Sequence, residues 1–177
     1  MEKFIVLLRG VNVGGNRKLP MAELRAAAVA AGLSDVETYI HSGNLVFSAA
    51  GAAEAEAAVE TLIDKHFGLT VEAIARSARR WSDYAGAAPF PDADARGNLV
   101  HLGLSKKSPG PDIAALLAER AMHGERIVVA DDAIWIDFSD GVSNTKLTPA
   151  FIDKVVGSTV TMRNWRTVRK LAEMAGY

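Results

Sequence analysis

The chain of 177 residues contains no cysteine. This absence excludes disulfide bonds, thiolate metal sites, iron–sulfur clusters and cysteine nucleophiles, and it fits a reducing compartment. Long hydrophobic runs are also missing near the amino terminus, where the apolar run at residues 4–8 is followed by Arg9. A signal peptide needs about 7–15 apolar residues and a membrane helix about 20. We therefore expect a cytoplasmic protein without a membrane partner.

Aromatic residues make up only 7% of the chain, and Trp81, Trp135 and Trp165 are not clustered. The base-stacking platforms of RNA-binding β-α-β-β-α-β domains need aromatic side chains in the middle strands, and their consensus is missing here. Nucleic-acid binding is therefore an alternative that the sequence does not favour. The four histidines show no close metal-ligand spacing. We predict no metal site and no cofactor.

The net charge of −1 is unevenly distributed. The first 18 residues carry four basic side chains and one acidic side chain, and the last 18 carry the same numbers, so the body between them is acidic. Two basic ends on an acidic body suggest local anion sites rather than a basic nucleic-acid protein. The alternative, equally open, is that these side chains complement helix ends and solvate the surface.

Residues 1–76 predict a first subdomain with the order β-α-β-β-α-β. Short β-rich apolar runs predict its strands, and helical spacing of apolar and alanine residues predicts its helices. The turn at residues 42–44 has Gly43 and Asn44, which tolerate positive φ. The strands are predicted at residues 4–8, 36–40, 45–47 and 70–75, and the helices after Pro20 and at residues 52–67.

Residues 77–96 predict a linking helix and a Pro-containing loop, and residues 97–177 repeat the β-α-β-β-α-β order and add a terminal helix. Thr148 and Asn164 are predicted to cap the last two helices. The predicted fold class is α+β, with two ferredoxin-like βαββαβ subdomains in tandem plus a C-terminal helix. The main alternative is a single mixed sheet that uses all of these strands. The second subdomain has predicted strands at 99–104, 126–129, 134–138 and 159–162, with helices at 111–121, 148–156 and 164–174.

This topology brings the most distinctive segments together in pairs. The loop after the first strand, residues 9–18, and the turn at residues 41–44 should lie at one edge of the first sheet. In the second subdomain, residues 139–146 and the segment around Arg163 should share an edge. Each pair joins glycine, asparagine and basic residues, which makes each edge a candidate site.

The same segments resemble the bacterial family catalogued as domain of unknown function 1697. The resemblance rests on LRGVNVGGNRKLPMAELR, TYIHSGNLVFS, APFP, DGVSNTKL and TMRNWRTVRKL, which occur in this order across essentially the whole chain. It implies an α+β fold with ferredoxin-like pieces, and it brings no established activity, substrate or catalytic residue. The chain departs from the family at residues 142–146, where a glycine-rich or Arg-Ser-Lys stretch is usual.

The glycine-rich loop has the chemistry of an anion site. Glycines allow consecutive backbone N–H groups to turn toward one point, a helix amino terminus follows, and basic side chains add charge. The spacing matches neither the Walker loop nor the dinucleotide fingerprint. The alternative is a long structural turn under the helix. The candidate ligand-binding residues at this edge are Arg9, Gly10, Asn12, Gly14, Gly15, Lys18, Ser42 and Asn44, with Arg17 as a further source of charge.

A second candidate set lies at the other edge, where the amino terminus of the terminal helix and nearby arginines predict an anion site: Ser143, Lys146, Arg163, Asn164 and Arg166. The alternative is that these arginines pair with the acidic body. Ser143-x-x-Lys146 matches the serine β-lactamase pattern in letters only, because it precedes a helix instead of lying on one.

Function is not defined by these patterns. The favoured interpretation is a cytosolic binding protein for a phosphorylated or otherwise anionic small molecule. One alternative is an enzyme that acts on such a ligand, with His41 or Lys146 in acid–base work; a histidine without such a task is the simpler reading of His41. The other alternative is a nucleic-acid-binding module.

Overall fold

The apolar run at residues 4–8 lies in a strand at the interior of the first of two sheets. The computed structural model describes residues 1–177 and contains eight strands and six helices. The strands β1 to β8 are Glu2–Leu8, Ser34–Tyr39, Asn44–Ala49, Ala73–Ser77, Val100–Ser105, Arg126–Ala130, Ala133–Asp137 and Val160–Asn164. The helices α1 to α6 are Met21–Ala30, Ala52–Phe67, Ala78–Gly86, Ile113–Ala118, Pro149–Val156 and Trp165–Ala175. No helix combines the length and the apolar character needed to cross a membrane.

The strands form two separate four-stranded antiparallel sheets, in the orders β2-β3-β1-β4 and β6-β7-β5-β8. The alternative of one mixed sheet is therefore wrong, and the α+β class is confirmed. The chain divides into a first unit, Met1–Tyr84 with Lys170–Tyr177, and a second unit, Ala85–Arg169. Helix α6 thus begins in the second unit and ends in the first.

The two sheets repeat the same register. In the first sheet Ile5 pairs with Val46 on one side and with Arg76 on the other. In the second sheet Leu102 occupies the same place between Trp135 and Arg163. The sequence predicted the repeat as a pattern of elements, and the pairing shows that it extends to individual positions.

One face of each sheet packs against the two helices that connect its strands. In the first unit the buried side chains of β1 that face the helices are Phe4, Val6 and Leu8, and they meet Leu24 of α1 and Val59 of α2 in one cluster. In the second unit the corresponding cluster joins β7 to α4 and α5 through Ile113, Leu117, Ile134, Ile136 and Ile152. These alternating and helical spacings are what the apolar pattern predicted.

Side chains bond to the outer backbone groups of two edge strands. Along β4, the carboxylates of Glu60 and Glu56 accept the N–H groups of Ala73 and Ala75, each at 2.9 Å. Along β8, Asp153 accepts the N–H of Val160 at 2.8 Å. Since an unpaired strand edge invites pairing with another chain, these carboxylates protect both edges.

Most predicted boundaries are shifted by one to three residues. The fourth strand was predicted at residues 70–75 but runs from Ala73 to Ser77, because its register is set by pairing with β1, where Leu8 faces Ala73. Helix α4 is shorter than predicted because its last turn tightens: the N–H groups of Arg120 and Ala121 bond three residues back.

Candidate functional site

The glycine-rich loop is a small hairpin. Val13 and Asn16 form an isolated bridge, and the N–H of Asn16 donates to the carbonyl of Val13 at 3.0 Å. Gly14 and Gly15 between them have φ values of 58° and 78°. Positive φ at both central residues is the geometry of a type I′ turn, which glycine adopts without steric cost. The two glycines are therefore required by the turn, and both are exposed.

The side chain of Asn12 joins this hairpin to the turn between β2 and β3. Its Nδ2 donates to the carbonyl of Leu19 at 2.9 Å and to the carbonyl of His41 at 2.8 Å, and its Oδ1 accepts the N–H of Leu19 at 2.8 Å. The N–H of Leu8 also donates to the carbonyl of Gly43 at 2.8 Å. The prediction that residues 9–18 and 41–44 share one edge is confirmed, and we call these residues the loop–turn edge.

The turn itself differs from the prediction at Asn44. Positive φ falls on Ile40 and Gly43, at 49° and 84°, whereas Asn44 begins β3. The buried amide of Asn44 donates to the carbonyl of Tyr39 at 2.8 Å and to the hydroxyl of Ser42 at 3.1 Å. Asn44 therefore closes the turn with its side chain.

Gly43 is where the loop and the turn approach most closely. A Cβ atom at this position would lie 2.6 Å from Cγ2 of Val11 and 2.8 Å from Cβ of Leu8. Both atoms belong to buried side chains that cannot withdraw freely. Glycine is therefore needed here for close approach as well as for its positive φ.

The basic side chains of this edge have different roles. Arg17 donates to the carbonyl of Thr70, and its Nη1 is 3.7 Å from the place of a Cβ on Gly10, so its guanidinium fastens the loop. Arg9 is half-buried, and its N–H donates to the carbonyl of Glu72 at 3.0 Å. Lys18 and His41 are exposed, and neither side chain has a hydrogen-bonded or ionic partner.

The second candidate edge lies in the second unit, and most of its residues form hydrogen bonds within the protein. Arg163 is almost fully buried on β8, where its Nη1 donates to the carbonyl of Met162 at 2.8 Å and burial lowers its pKa to about 10. The Oδ1 of Asn164 accepts the N–H of Thr167 at 3.0 Å, which confirms the predicted cap of α6. The N–H of Arg166 donates to the carbonyl of Gly97 at 3.3 Å. Two of the N–H groups that an anion would need at this helix terminus are therefore occupied.

Ser143 and Lys146 are exposed in the segment between β7 and α5, outside any helix. Between them, the hydroxyl of Thr145 donates to Glu125 at 2.7 Å and accepts the N–H of Leu147 at 3.1 Å. The predicted cap of α5 is confirmed, because Thr148 accepts the N–H of Phe151 at 3.3 Å. These bonds order the segment around Ser143 and Lys146 without placing either side chain against a reactive partner.

A cluster of charges in the second unit was missed by the sequence reasoning. Asp137, only 2% exposed, accepts hydrogen bonds from Arg96 at 3.0 Å and from Arg126 at 2.6 Å. Arg126 also pairs with Asp92 at 2.7 Å and lies over the ring of Phe90. Burial alone would raise the pKa of Asp137, but the hydrogen bonds from the two arginines outweigh it, and the pKa is lowered. The available signal was an aspartate in the otherwise apolar strand AIWID.

Two of the three tryptophans, which are not clustered in the sequence, are in contact in the structure. Trp135 and Trp165, which are far apart in the chain, meet edge to face with ring centroids 5.9 Å apart. The indole N–H of Trp165 donates to Asp94 at 2.7 Å. The apolar side chains of α6 are buried: Trp165, Val168, Leu171 and Ala172. Residues from Lys170 onward belong to the first unit, where Nζ of Lys3 donates to the carbonyl of Met174 at 3.5 Å.

A shallow groove of about 570 Å³ lies elsewhere in the first unit, along α2 and the end of α1. Most of its lining side chains are alanine or leucine, and Lys65 and His66 also line it. The groove includes no residue of the loop–turn edge. No group of three or more histidine, aspartate or glutamate side chains is arranged to hold a metal ion.

Comparison with known proteins agrees with the α+β architecture. The family model described as "Protein of unknown function (DUF1697)" matches residues 1–135, and the chain belongs to this family. The chain is similar to a solved structure, the conserved bacterial protein SP0830 from Streptococcus pneumoniae, with a TM-score of 0.71 and 24% identity over 98% of both chains. This likeness shows a shared fold and carries no activity. No curated protein matches the chain.

Proposed function

We propose that the protein is a cytosolic binding protein for a phosphorylated or other anionic small molecule, which it holds at the loop–turn edge. One observation carries this proposal. The Asn12 side chain ties the backbone of Leu19, next to Lys18, to the backbone of His41. It thereby fixes two segments that each present an exposed basic side chain without a partner in the protein.

The hairpin tip adds backbone donors to these two side chains. The N–H groups of Gly14 and Gly15 have no acceptor in the protein, and both residues are open to solvent. Backbone N–H groups next to basic side chains are a common way to bind phosphate and carboxylate groups. The guanidinium of Arg17, held beside Gly10, adds a further positive charge to the same edge.

An anion-binding screen tests the proposal. Inorganic phosphate, pyrophosphate, citrate and nucleoside monophosphates are titrated by calorimetry at low salt. Lys18→Ala and His41→Ala should each weaken binding of the best probe by about fivefold, the effect of losing roughly 1 kcal/mol from one hydrogen bond at an exposed site. Lys65→Ala and His66→Ala remove the same residue types from the exposed last turn of α2 and serve as matched controls. Absence of binding by every probe, or equal losses in the controls, would contradict the proposal.

We propose in addition that each sheet with its two connecting helices is a ferredoxin-like unit, so that two such units follow each other along the chain. The support is the βαββαβ order in both halves and the shared strand order, in which the first and third strands occupy the middle of the sheet. The equivalent registers around Ile5 and Leu102 support the same view. The fourth strands of the two sheets also share a side-chain bond. Arg76 in β4 and Arg163 in β8 each donate from Nη1 to the carbonyl of the preceding residue.

An enzymatic role is the second candidate, and only His41 has a position that favours it. Its ring is exposed on the same edge as Lys18, whereas Lys146 belongs to the second unit. A general base must come within hydrogen-bond reach of the proton that it removes. A complex structure in which the bound anion lies remote from His41 would exclude this role.

A further inference from the structure

Ile40 combines a strained backbone with an exposed position. It directly follows β2, its φ is 49°, and it is 47% exposed. Five residues other than glycine have positive φ, and Ile40 is the one among them with a β-branched side chain. A β-branched residue in the left-handed region is a steric outlier, and a half-exposed side chain offsets little of that cost by burial.

The turn itself does not require isoleucine. In the second sheet the equivalent hairpin joins β6 to β7, and its residue with positive φ is Asp131, at 51°. Aspartate and asparagine adopt this conformation more readily than β-branched residues do. The isoleucine in the first sheet is therefore not explained by the geometry of the turn.

Hydrogen bonds on both sides hold the backbone of Ile40 in place. The carbonyl of Tyr39 accepts a bond from Nδ2 of Asn44 at 2.8 Å. The carbonyl of His41 accepts a bond from Nδ2 of Asn12, also at 2.8 Å. Backbone outliers that their surroundings hold in this way cluster at ligand sites. What this outlier presents to solvent is an apolar side chain.

A second exposed apolar side chain belongs to the same loop–turn edge. Val13 of the glycine hairpin is 64% exposed. The bond between Asn12 and His41 joins the residue next to Val13 to the residue next to Ile40. The other large apolar residues that are exposed in the first unit lie at the chain ends or on α1: Met1, Val29 and Tyr177.

These apolar side chains accompany the basic groups of the proposed anion site. Lys18 and His41 are exposed without a partner, and His41 directly follows Ile40. Small-molecule sites are lined mostly by apolar side chains, with a few polar groups that fix the orientation of the ligand. A bare inorganic anion would use the basic groups alone and would leave both apolar side chains in water. A ligand that joins an anion to an apolar group would cover them.

We propose that the ligand of the loop–turn edge is an amphipathic anion, in which a phosphate or carboxylate is attached directly to an apolar group. The anion lies against Lys18 and His41, and the apolar group lies against Ile40 and Val13. This inference rests on the proposed anion site and specifies the class of its ligand. The ligand is a small molecule and not a membrane surface, because peripheral membrane segments bury a continuous apolar face, whereas this edge offers two aliphatic side chains.

A series of phosphate monoesters tests the inference. Inorganic phosphate, methyl phosphate and butyl phosphate are titrated by calorimetry at low salt. Complete burial of one methylene strengthens binding about fourfold, and an open edge covers a chain on one side only, so we expect about twofold for each methylene. Butyl phosphate should therefore bind about eightfold more tightly than methyl phosphate. The ratio of these two affinities isolates the apolar contact from the charge.

Two variants remove the apolar side chains while preserving the local backbone. Ile40→Asn introduces a residue type that tolerates positive φ, so it should not lower the melting temperature, and it should reduce the eightfold ratio to about twofold or less. Val13→Thr keeps the side-chain shape, adds a hydroxyl and should also reduce the ratio. Val29→Thr makes the same change at the exposed valine of α1 and should leave the ratio unchanged. Thermal unfolding of each variant verifies the fold.

The possible contrary results have different meanings. Equal affinities for inorganic, methyl and butyl phosphate would overturn the inference and leave the proposed anion site standing. A ratio that survives both Ile40→Asn and Val13→Thr would overturn it by placing the apolar contact elsewhere, such as the groove along α2. Binding to phosphatidylglycerol vesicles without binding of butyl phosphate would assign the edge to a membrane surface instead. Absence of binding by every probe would contradict both the inference and the proposed function.

Discussion

At the residue scale, the loop–turn edge depends on asparagine and glycine positions that sequence patterns present as ordinary turn residues. Asn12 makes three hydrogen bonds, to Leu19 and His41, and Asn44 makes two inside its own turn. An asparagine amide both donates and accepts, so it can replace missing backbone pairings where two loops meet. Its importance here lies in bonds to residues up to 29 positions away.

Asn12→Ala should destabilise the protein by about 1–3 kcal/mol, because it leaves the partly buried groups of Leu19 without their partners. Urea denaturation of the isolated variant measures this change. Asn16→Ala, an exposed position in the same hairpin, is the control and should change stability by less than about 0.5 kcal/mol. Equal stability of the two variants would show that the hydrogen bonds of the Asn12 side chain do not stabilise the fold.

Gly43→Ala should be more costly than Gly32→Ala, although both glycines have similar φ values of 84° and 89°. A Cβ at Gly32 meets no atom within 4 Å, so that variant reports the backbone strain alone, about 1–2 kcal/mol. At Gly43 the clash with Val11 and Leu8 adds about 1–3 kcal/mol. Thermal unfolding compares the two variants. Similar losses would mean that the loop and the turn adjust freely.

At the element scale, predictions succeeded where the deciding interactions are local. Helix α2 was predicted at residues 52–67 and occupies Ala52–Phe67, because alanine favours the helix and Gly68 ends it with a φ of 64°. The caps by Thr148 and Asn164 were predicted for the same reason, since each bond spans three residues. These elements were predicted correctly because the bonds that define them join residues only a few positions apart in the sequence.

Predictions failed where a distant partner decides the outcome. Strand β4 is shifted because Leu8 sets its register, and Asn44 is a strand residue because it pairs with Leu7 of β1. Arg96 and Asp137 meet across 41 residues, which no periodicity reveals. The position of the loop–turn edge was predictable from the order of the elements, but the hairpin form of the loop and the structural role of Arg163 were not.

The charge cluster of the second unit gives a pH prediction. The lowered pKa of Asp137 means that its contribution to stability is present above its ordinary value of 3.8 and is lost as the pH falls through its folded-state pKa. Acid unfolding should therefore become steeper below about pH 4 in the unaltered chain than in Asp137→Asn. At neutral pH, Asp137→Asn should cost about 1–3 kcal/mol, less than a fully buried pair because both guanidiniums are partly exposed.

Asp140→Asn is the matched control for this experiment, since Asp140 is an exposed aspartate three residues away without a side-chain partner. Its stability should follow the unaltered chain from neutral pH into the acid range. If the stability of Asp137→Asn also follows that of the unaltered chain across this pH range, the ion pairs of Asp137 with Arg96 and Arg126 do not stabilise the fold.

At the scale of the whole molecule, two sheets of identical strand order carry different surfaces on the same framework. In the first sheet the edge after the first strand carries a glycine hairpin, and the side chains of Lys18 and His41 are exposed there. The equivalent edge of the second sheet follows β5, where the hydroxyl of Ser105 donates to the carbonyl of Lys107 at 2.5 Å and Asp131 turns the chain toward β7. The two halves therefore share a strand order, and the glycine hairpin that follows the first strand of the first sheet is the basis of the proposed anion site.

The amide spectrum of the uniformly ¹⁵N-labelled protein tests anion binding at the loop–turn edge most directly. Titration with pyrophosphate at low salt should shift the amide signals of Gly14 and Gly15 in a saturable manner, and Lys18→Ala should weaken that saturation while Lys65→Ala leaves it unchanged. If the signals of the two glycines stay fixed, whether pyrophosphate binds elsewhere or does not bind at all, anion binding at the loop–turn edge is contradicted.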